Sequence, residues 1–384
     1  MRILHTADWH VGKRLGRHDR MADHAAVLGE VIEIAAAEDV DLTIVAGDLF
    51  DRTTAPVDAL RLVLDTLERL AAHCPVVAIA GNHDSPEMLE LFAPLIRQHQ
   101  VHLVGHIKRP GDGGVVEIKT GSERALVACL PFLREGKAVN FLKEADQWYG
   151  AYAERIDRLC RAYDDYLQDK GKGAVKLLTA HFAVHGVKLG GRGQPRGERA
   201  LHLGEAYTAT EQAIPPGPQY VAMGHIHAPQ PVPGAIVPAL YSGSLLELDF
   251  GESGEEKRVV LIEAQAGQRA EIRSIPVSRG RRLLRARGRF EDLIERPELQ
   301  NAFVDLIVET DGPSPGLADR ARDAFPHLVK VRAQYERTAA EGPLRVDQPW
   351  DDLYRAYYRR AHETEAPDEL VAAFAEILDE VDDG

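Results

Sequence analysis

Five short apolar runs, each followed by side chains that can bind a metal ion, constrain this chain more than any other feature. They occupy residues 3–6, 42–46, 76–80, 177–180 and 220–223, are rich in branched aliphatic residues, and each halts at a Gly, Asp or His. A short unbroken apolar run bounded in this way reads as a strand buried on both faces. Residues 25–37, 59–70 and 151–167 repeat apolar side chains at helical spacing and are long enough to cross back over a sheet. Strands alternating with helices up to residue 276 predict an α/β core. At 384 residues the chain exceeds what one hydrophobic core organises, so further domains are expected beyond it.

The runs lead into Asp8-Trp9-His10, Gly47-Asp48-Leu49-Phe50-Asp51, Gly81-Asn82-His83-Asp84, His181, and Gly224-His225-Ile226-His227. In open α/β sheets ligands bind outside the carboxyl ends of the strands, so side chains remote in sequence can converge there. Extended backbone puts residues two apart on one side, which lets Asp8 and His10, or His225 and His227, chelate as pairs. The donors are then Asp8, Asp48, Asn82, His10, His181, His225 and His227, an oxygen and nitrogen set without thiolate. One tetrahedral zinc needs only four ligands; a set this large suits two divalent ions such as manganese, with zinc or iron as alternatives. Asp48 is the natural bridging ligand, and two ions about 3.5–4 Å apart stabilise both attack and departure in phosphoester hydrolysis.

His83 is placed to protonate the leaving oxygen, with Asp84 orienting its imidazole. Ser85-Pro86 reads as a helix start, Ser85 capping and Pro86 in the first turn, which would aim a helix N-terminus at an anion. Asp51 is expected to support the ligands through hydrogen bonds. Any one of these motifs alone is more often a simple turn; their joint occurrence, in order and each at a strand end, points to a metal site. His5 is expected to pack within its strand, and His18, His24, His73, His99, His102, His106, His185 and His202 to lie on surfaces or loops.

A net charge of −14 opposes a protein that coats nucleic acid by overall charge. The charge is uneven, since residues 347–383 are acid-rich whereas residues 279–289 carry six arginines. No run approaches the roughly 18 apolar residues that cross a membrane, and the N-terminus does not read as a signal peptide. The three cysteines, Cys74, Cys129 and Cys160, are widely spaced and suggest neither a disulfide framework nor a zinc site, which fits a cytoplasmic setting.

Beyond residue 276 come the arginine-rich stretch, an apolar strand at 303–308, a Gly/Pro loop at 312–316 and a helix around 317–324, together a small α+β unit. Two amphipathic helices follow, separated near Pro367. One aligns Trp350, Leu353, Tyr354, Tyr357 and Tyr358; the other aligns Leu370, Phe374, Ile377, Leu378 and Val381. These stripes need burial against the chain's own core or a partner.

The order Asp-x-His, Gly-Asp-x-x-Asp, Gly-Asn-His-Asp, His, Gly-His-x-His resembles the calcineurin-like metallophosphoesterase superfamily. More narrowly, residues 3–12, 46–51 and 80–85 resemble the SbcD nucleases, bacterial relatives of the eukaryotic meiotic-recombination nuclease. The resemblance implies a metallophosphoesterase β-sandwich core flanked by helices (1–276), a small α+β DNA-capping domain (277–333), and a linker and partner-binding helical hairpin (334–384). It implies that Asp8, His10, Asp48 and His227 hold one manganese, that Asp48, Asn82, His181 and His225 hold the other, and that His83 is catalytic. It further implies 3'-5' double-strand exonuclease and single-strand or hairpin endonuclease activity in repair, replication and recombination. In this family the tail grips the coiled-coil base of an SMC-like ATPase, SbcC, and the nuclease subunit dimerises within a heterotetramer. No Gly-x-x-x-x-Gly-Lys loop occurs here, so ATP would act through the partner.

DNA contacts are expected from Lys13, Arg14 and Arg17 after the first motif, from the basic loop 188–199 with Lys188 and Arg192, and from Arg281 and Arg282. Two rival readings are a small-molecule or protein phosphoesterase on the same core, which leaves the cap and tail unexplained, and a scaffold that holds DNA ends without cutting, which leaves His83 and the double ligand set unexplained.

Overall fold

The structure, a computed structural model, describes residues 1–134, 152–188, 208–335, 350–362 and 364–374. The chain forms two compact units: Met1–Glu309 with Pro315–Ala333, and Thr310–Ser314 with Gln334–Gly384.

The first unit is built on two six-stranded sheets. One runs Glu271–Pro276, Arg258–Glu263, Arg2–Thr6, Leu42–Val45, Val76–Ile79, Val101–Val104, and its last four strands are parallel. The other runs Gln230–Pro231, Ala239–Tyr241, Tyr220–Gly224, Val175–His181, Glu123–Leu130, Val115–Thr120. All five expected strands are present. The sheets face each other: Ile3, Ile44, Val77 and Ile79 of one pack with Val127, Leu177, Tyr220 and Ala222 of the other. Side chains alternate across a strand, so the neighbours of these residues point outward and need a second cover. Leu4, Val45 and Ala78 bury against the helices Met21–Ala37 and Val57–Ala71, and Leu178, Val221 and Met223 against the helix Tyr152–Lys170. The result is a β-sandwich covered by helices on both outer faces.

Register decides where the strand ends lie. Thr6 is level with Val45 and Val45 with Ala78, while in the second sheet Gly224 is level with His181. The segments carrying the polar signatures therefore leave their sheets at matching heights.

His5 does more than pack within its strand. It is fully buried between the sheets, and its Nδ1 lies 2.9 Å from the Tyr220 hydroxyl. His24 corrects the expectation of a surface residue: it is buried in line with Val27, Leu28 and Val31, since helical spacing puts it on the face turned to the sheet. His202 lies outside the described residues.

Burial holds both imidazoles neutral, with pKa values lowered to about 3; Arg20 adds to the effect at His24. Unfolding exposes them to protonation at about 6.5, so their contribution to stability is intact above that pH and is lost as pH falls towards 3, at about 1.4 kcal/mol per pH unit for each ring. In urea unfolding of chelator-treated protein, His5→Gln is expected to flatten the fall in stability between pH 6.5 and 4.5 by close to one proton. An unchanged slope would show that His5 titrates normally in the fold.

The α+β unit is a three-stranded sheet, Leu283–Gly288, Phe303–Glu309, Leu328–Gln334, with its first two strands parallel. The helices Phe290–Ile294 and Leu317–Ala324 close its core through Phe290, Leu293, Leu317, Ala321 and Phe325. Carboxylates of the sandwich fix its entry segment: Glu30 accepts the amide of Ser278, Asp23 that of Arg281, and Glu247 that of Leu283.

In the second unit the helix Trp350–His362 and a helical segment at 368–374 meet through Tyr354 and Phe374, stacked with ring centroids 4.2 Å apart. The two apolar stripes thus meet over this stretch, and Ile377, Leu378 and Val381 lie outside the described residues. No helix among the described residues is long and apolar enough to cross a membrane.

Candidate metal centre

Four of the proposed ligands sit on backbone that L-residues rarely adopt. Asp8, His10, Asp48 and His225 have φ values of 53, 46, 54 and 91°. Such conformations cost roughly 1–3 kcal/mol each and persist where surrounding contacts over-determine them. Here the first two loops are zipped together: Asp8 N–H donates to Gly47 O, His10 N–H to Asp48 O and Val11 N–H to Leu49 O, each at 3.0 Å. The strain turns side chains of adjacent loops toward a common point.

Each carboxylate spends one oxygen on a backbone amide. Asp8 Oδ1 accepts from His225 N–H at 2.9 Å, and Asp48 Oδ1 from His83 N–H at 2.8 Å. The other oxygens face the centre. Asp8 Oδ2 is buried with no hydrogen-bond partner among the described residues, and Asp48 Oδ2 lies 3.4 Å from both His10 Nε2 and His181 Nε2. The donors fall into two groups around Asp48. On one side His10 Nε2 and His227 Nε2 are 3.1 Å apart and, with Asp8, offer atoms within 4.8 Å of one another. On the other, Asn82 Oδ1 lies 3.1 Å from His181 Nε2 and 2.8 Å from His225 Nδ1. An orphaned anionic oxygen and imidazole nitrogens pointed at one another fit cations that accept lone pairs from all of them, so this donor set fits the two ions expected of it.

The protonation of these groups reflects the same crowding. Although burial works against it, the Asp48 carboxylate, followed by Asp8, pushes His181 up to about 9. Burial raises Asp8 to about 6 and lowers His10 to about 4. Asp48 stays well below the usual carboxylate range despite its burial, because His181 and His10 hold it charged.

Tight glycines make the convergence possible. A Cβ on Gly81 would fall 2.1 Å from Asp48 Oδ1 and 2.4 Å from Asp48 N; one on Gly47, itself at φ +92°, would fall 2.3 Å from His181 Nδ1. Gly81→Ala is therefore expected to displace the Asp48 loop and lower manganese uptake at least about tenfold, the lower end of what disturbing a ligand's supports costs. Equilibrium dialysis checks this, and normal uptake would mean the loop can shift without moving Asp48.

His83 Nδ1–H donates to the Asp51 carbonyl at 2.8 Å, which puts the lone pair of the neutral ring on Nε2, and the ring lies 4.7 Å from that of His10. The expectation that Asp84 orients this ring is corrected by the geometry. Asp84 is fully buried; its Oδ2 accepts from Gly81 N–H at 2.8 Å and Leu49 N–H at 3.2 Å, and its Oδ1 from Phe50 N–H at 2.9 Å. It braces two ligand loops, whose three amides converge on its buried carboxylate. Ser85 caps the following helix, Pro86–Ile96, by accepting from Met88 N–H. Asp51 Oδ1 lies 3.7 Å from His10 Nδ1, behind the ligand ring but beyond hydrogen-bond reach, and it is the Asp51 backbone carbonyl that accepts a hydrogen bond, from His83.

Several supporting residues carried no signal in the sequence. Glu252 Oε1 accepts from His227 Nδ1–H at 3.0 Å, and Lys257 pairs with Glu252 at 2.8 Å. Phe132 stacks on His225 with ring centroids 5.9 Å apart, and Arg134 donates to the carbonyls of Asn82 and Asp84. A motif search keyed to strand ends misses all four, since they reach the centre through loops of ordinary composition.

The basic segments look different once folded. Lys13 is paired with Asp51 at 3.0 Å, Arg281 with Asp23 at 3.2 Å and Arg282 with Glu247 at 3.1 Å. Arg279, Arg285 and Arg287 pair with Glu33, Asp305 and Glu309. Most of the arginine run is thus neutralised by nearby carboxylates rather than offered as a bare basic face. Arg14 and Arg17 are exposed beside the first motif, Lys188 is exposed, and Arg192 lies outside the described residues.

Comparison with known proteins agrees with this geometry. Residues 1–229 match the calcineurin-like phosphoesterase family, and residues 279–375 match the family described as type 5 capsule protein repressor C-terminal domain. The chain is 30% identical to the SbcD component of the SbcCD nuclease of Bacillus subtilis over 403 aligned positions, covering 100% of this chain and 99% of that one. It is 31% identical to the corresponding protein of Rhodobacter capsulatus, covering 89% and 90%, and 29% identical to that of Escherichia coli K12, covering 72% and 68%.

Proposed function

Because the chain belongs to the SbcD nuclease family of calcineurin-like phosphoesterases, we propose that it is the nuclease subunit of an SbcCD-type complex and hydrolyses DNA phosphodiester bonds with two manganese ions. The observation that supports this most is the arrangement of six donors in two groups of three about the seventh, Asp48. Asp8, His10, Asp48 and His227 would hold one ion, and Asp48, Asn82, His181 and His225 the other. Such a pair supplies Lewis-acid polarisation of the phosphoryl group and a nucleophile at neutral pH.

The protein's own residues do the rest. His83, fixed through Nδ1–H by the Asp51 carbonyl, presents Nε2 to the leaving oxygen and, when protonated there, transfers a proton to it. Lys13 is positioned by Asp51, and Arg14 and Arg17 meet DNA phosphates beside the first motif. The α+β unit of residues 277–333 caps the DNA, and the tail docks on an SMC-like ATPase, through which ATP acts. Tyr357 and Leu370, exposed in the second unit, offer that partner an apolar surface. Leu91 and Leu95, 67% and 61% exposed one turn apart on the Pro86–Ile96 helix, offer a surface for homodimerisation.

The test is cleavage of end-labelled duplex and hairpin DNA by the purified chain with manganese, with and without an SbcC-type ATPase and ATP, beside bis-para-nitrophenyl phosphate. Shortening of duplexes from their 3' ends and opening of hairpins are expected. Hydrolysis of the small diester without DNA cleavage, even with the ATPase present, would reduce the chain to a phosphoesterase of another substrate class.

A further inference from the structure

Behind His227 stands an ion pair that is itself buried. Glu252, fully buried, receives the ring N–H of His227 on Oε1. Its Oε2 accepts from Lys257 Nζ at 2.8 Å and Leu248 N–H at 3.0 Å. The Lys257 ammonium, itself buried, also donates to the backbone carbonyl of His227 at 3.2 Å, to Ser244 Oγ at 2.9 Å and to Glu255 Oε2 at 2.9 Å. One cation thus fixes His227 twice, at its main chain and through the carboxylate that holds its ring. By contrast, the back of His181 rests on the backbone carbonyl of Ala46, and behind His10 the Asp51 carboxylate, paired with the partly exposed Lys13, stands 3.7 Å away.

Resting on the dimetal reading above, we propose that the Glu252–Lys257 pair is a positioning module for His227 that strengthens ion binding on the Asp8/His10/His227 side of the centre. A carboxylate that accepts Nδ1–H locks the ring in one tautomer, directs the Nε2 lone pair toward His10, and makes the imidazole a better electron-pair donor. Burying a carboxylate is costly unless it is paired and hydrogen-bonded, and Lys257, Leu248 N–H and His227 meet that requirement. The contacts that tie the pair to the centre, a hydrogen bond to the ring of His227 and another to its carbonyl, act on the Asp8/His10/His227 side, so the Asn82/His181/His225 side is expected to be left unchanged.

The experiment is a manganese titration of the full chain, following the loss of the free-ion EPR signal, for the parent, Glu252→Gln, His10→Ala and Asn82→Ala. The two ligand variants mark which binding step belongs to which side. Glu252→Gln is expected to weaken the step that His10→Ala weakens, by about 10–100-fold, the range for removing such a support, and to leave the step marked by Asn82→Ala unchanged. Equal weakening of both steps, or of neither, overturns the proposal. A parent that takes up fewer than two ions per chain refutes the dimetal reading itself, before any variant is compared. Should Glu252→Gln fail to fold, nitrogen NMR of the metal-free parent decides, with His227 assigned by its loss in His227→Gln. A neutral ring protonated on Nδ1 is expected, and protonation on Nε2 instead overturns the proposal.

Discussion

His83→Ala is expected to lose about 10²–10⁴-fold in DNA cleavage, the usual worth of a positioned proton donor, while taking up manganese as the parent does. Asp48→Ala is expected to lose both activities. The difference follows from where the two side chains stand. Asp48 Oδ2 lies 3.4 Å from an imidazole nitrogen of each donor group, so its removal takes the shared carboxylate from both. It also removes the acceptor for His83 N–H and so loosens the loop that carries Asn82. His83, in contrast, is anchored at Nδ1 by a backbone carbonyl and is proposed to act through Nε2, so cutting it back to Ala is expected to leave the seven candidate donors in place. Single-turnover cleavage beside an EPR titration of the same preparations separates the cases. A His83→Ala protein that cleaves normally would take the proton donor away from this residue, and one that loses an ion would make it a ligand.

Asp84→Ala is expected to act on the fold. Three buried amides, of Gly81, Leu49 and Phe50, lose their acceptor together. A buried donor left without a partner costs about 1–3 kcal/mol, so for three of them about 3–9 kcal/mol of stability should disappear, a large part of the roughly 5–15 kcal/mol typical of a domain. Urea unfolding in the presence of chelator measures this without contribution from bound ions. Were Asp84 instead an orienter of His83, its loss would resemble His83→Ala, with cleavage impaired and stability preserved. That outcome would restore the role expected from the motif.

The two residues of Gly81-Asn82-His83-Asp84 that looked like a catalytic pair therefore divide their work. His83 is the proposed proton donor; Asp84 holds together the loops that carry the candidate ligands. Adjacent residues in a tight turn point in different directions, and sequence adjacency alone does not say which amides will come within reach of a carboxylate. The arginine run teaches the same lesson about charge. Six arginines between residues 279 and 289 suggest a basic surface, yet Asp23, Glu33 and Glu247, which meet three of them, lie far away along the chain. Ion pairing between strangers in sequence leaves no mark on local composition.

Local pattern is enough to place the five strands, the helices that cover them and the strand Phe303–Glu309, and to single out the seven candidate donors. These are legible because strand and helix periods, turn glycines and ligand types are local properties that burial and coordination chemistry impose on neighbouring residues. It takes the folded chain to show which oxygen of Asp8 and Asp48 faces the centre, that His24 is buried, that Asp84 is a brace, and that Glu252 and Lys257 stand behind His227. Each of these depends on a partner brought close by sheet register and loop closure, and long-range contact of this kind is fixed by the packing of the whole chain rather than by any pattern within a single segment.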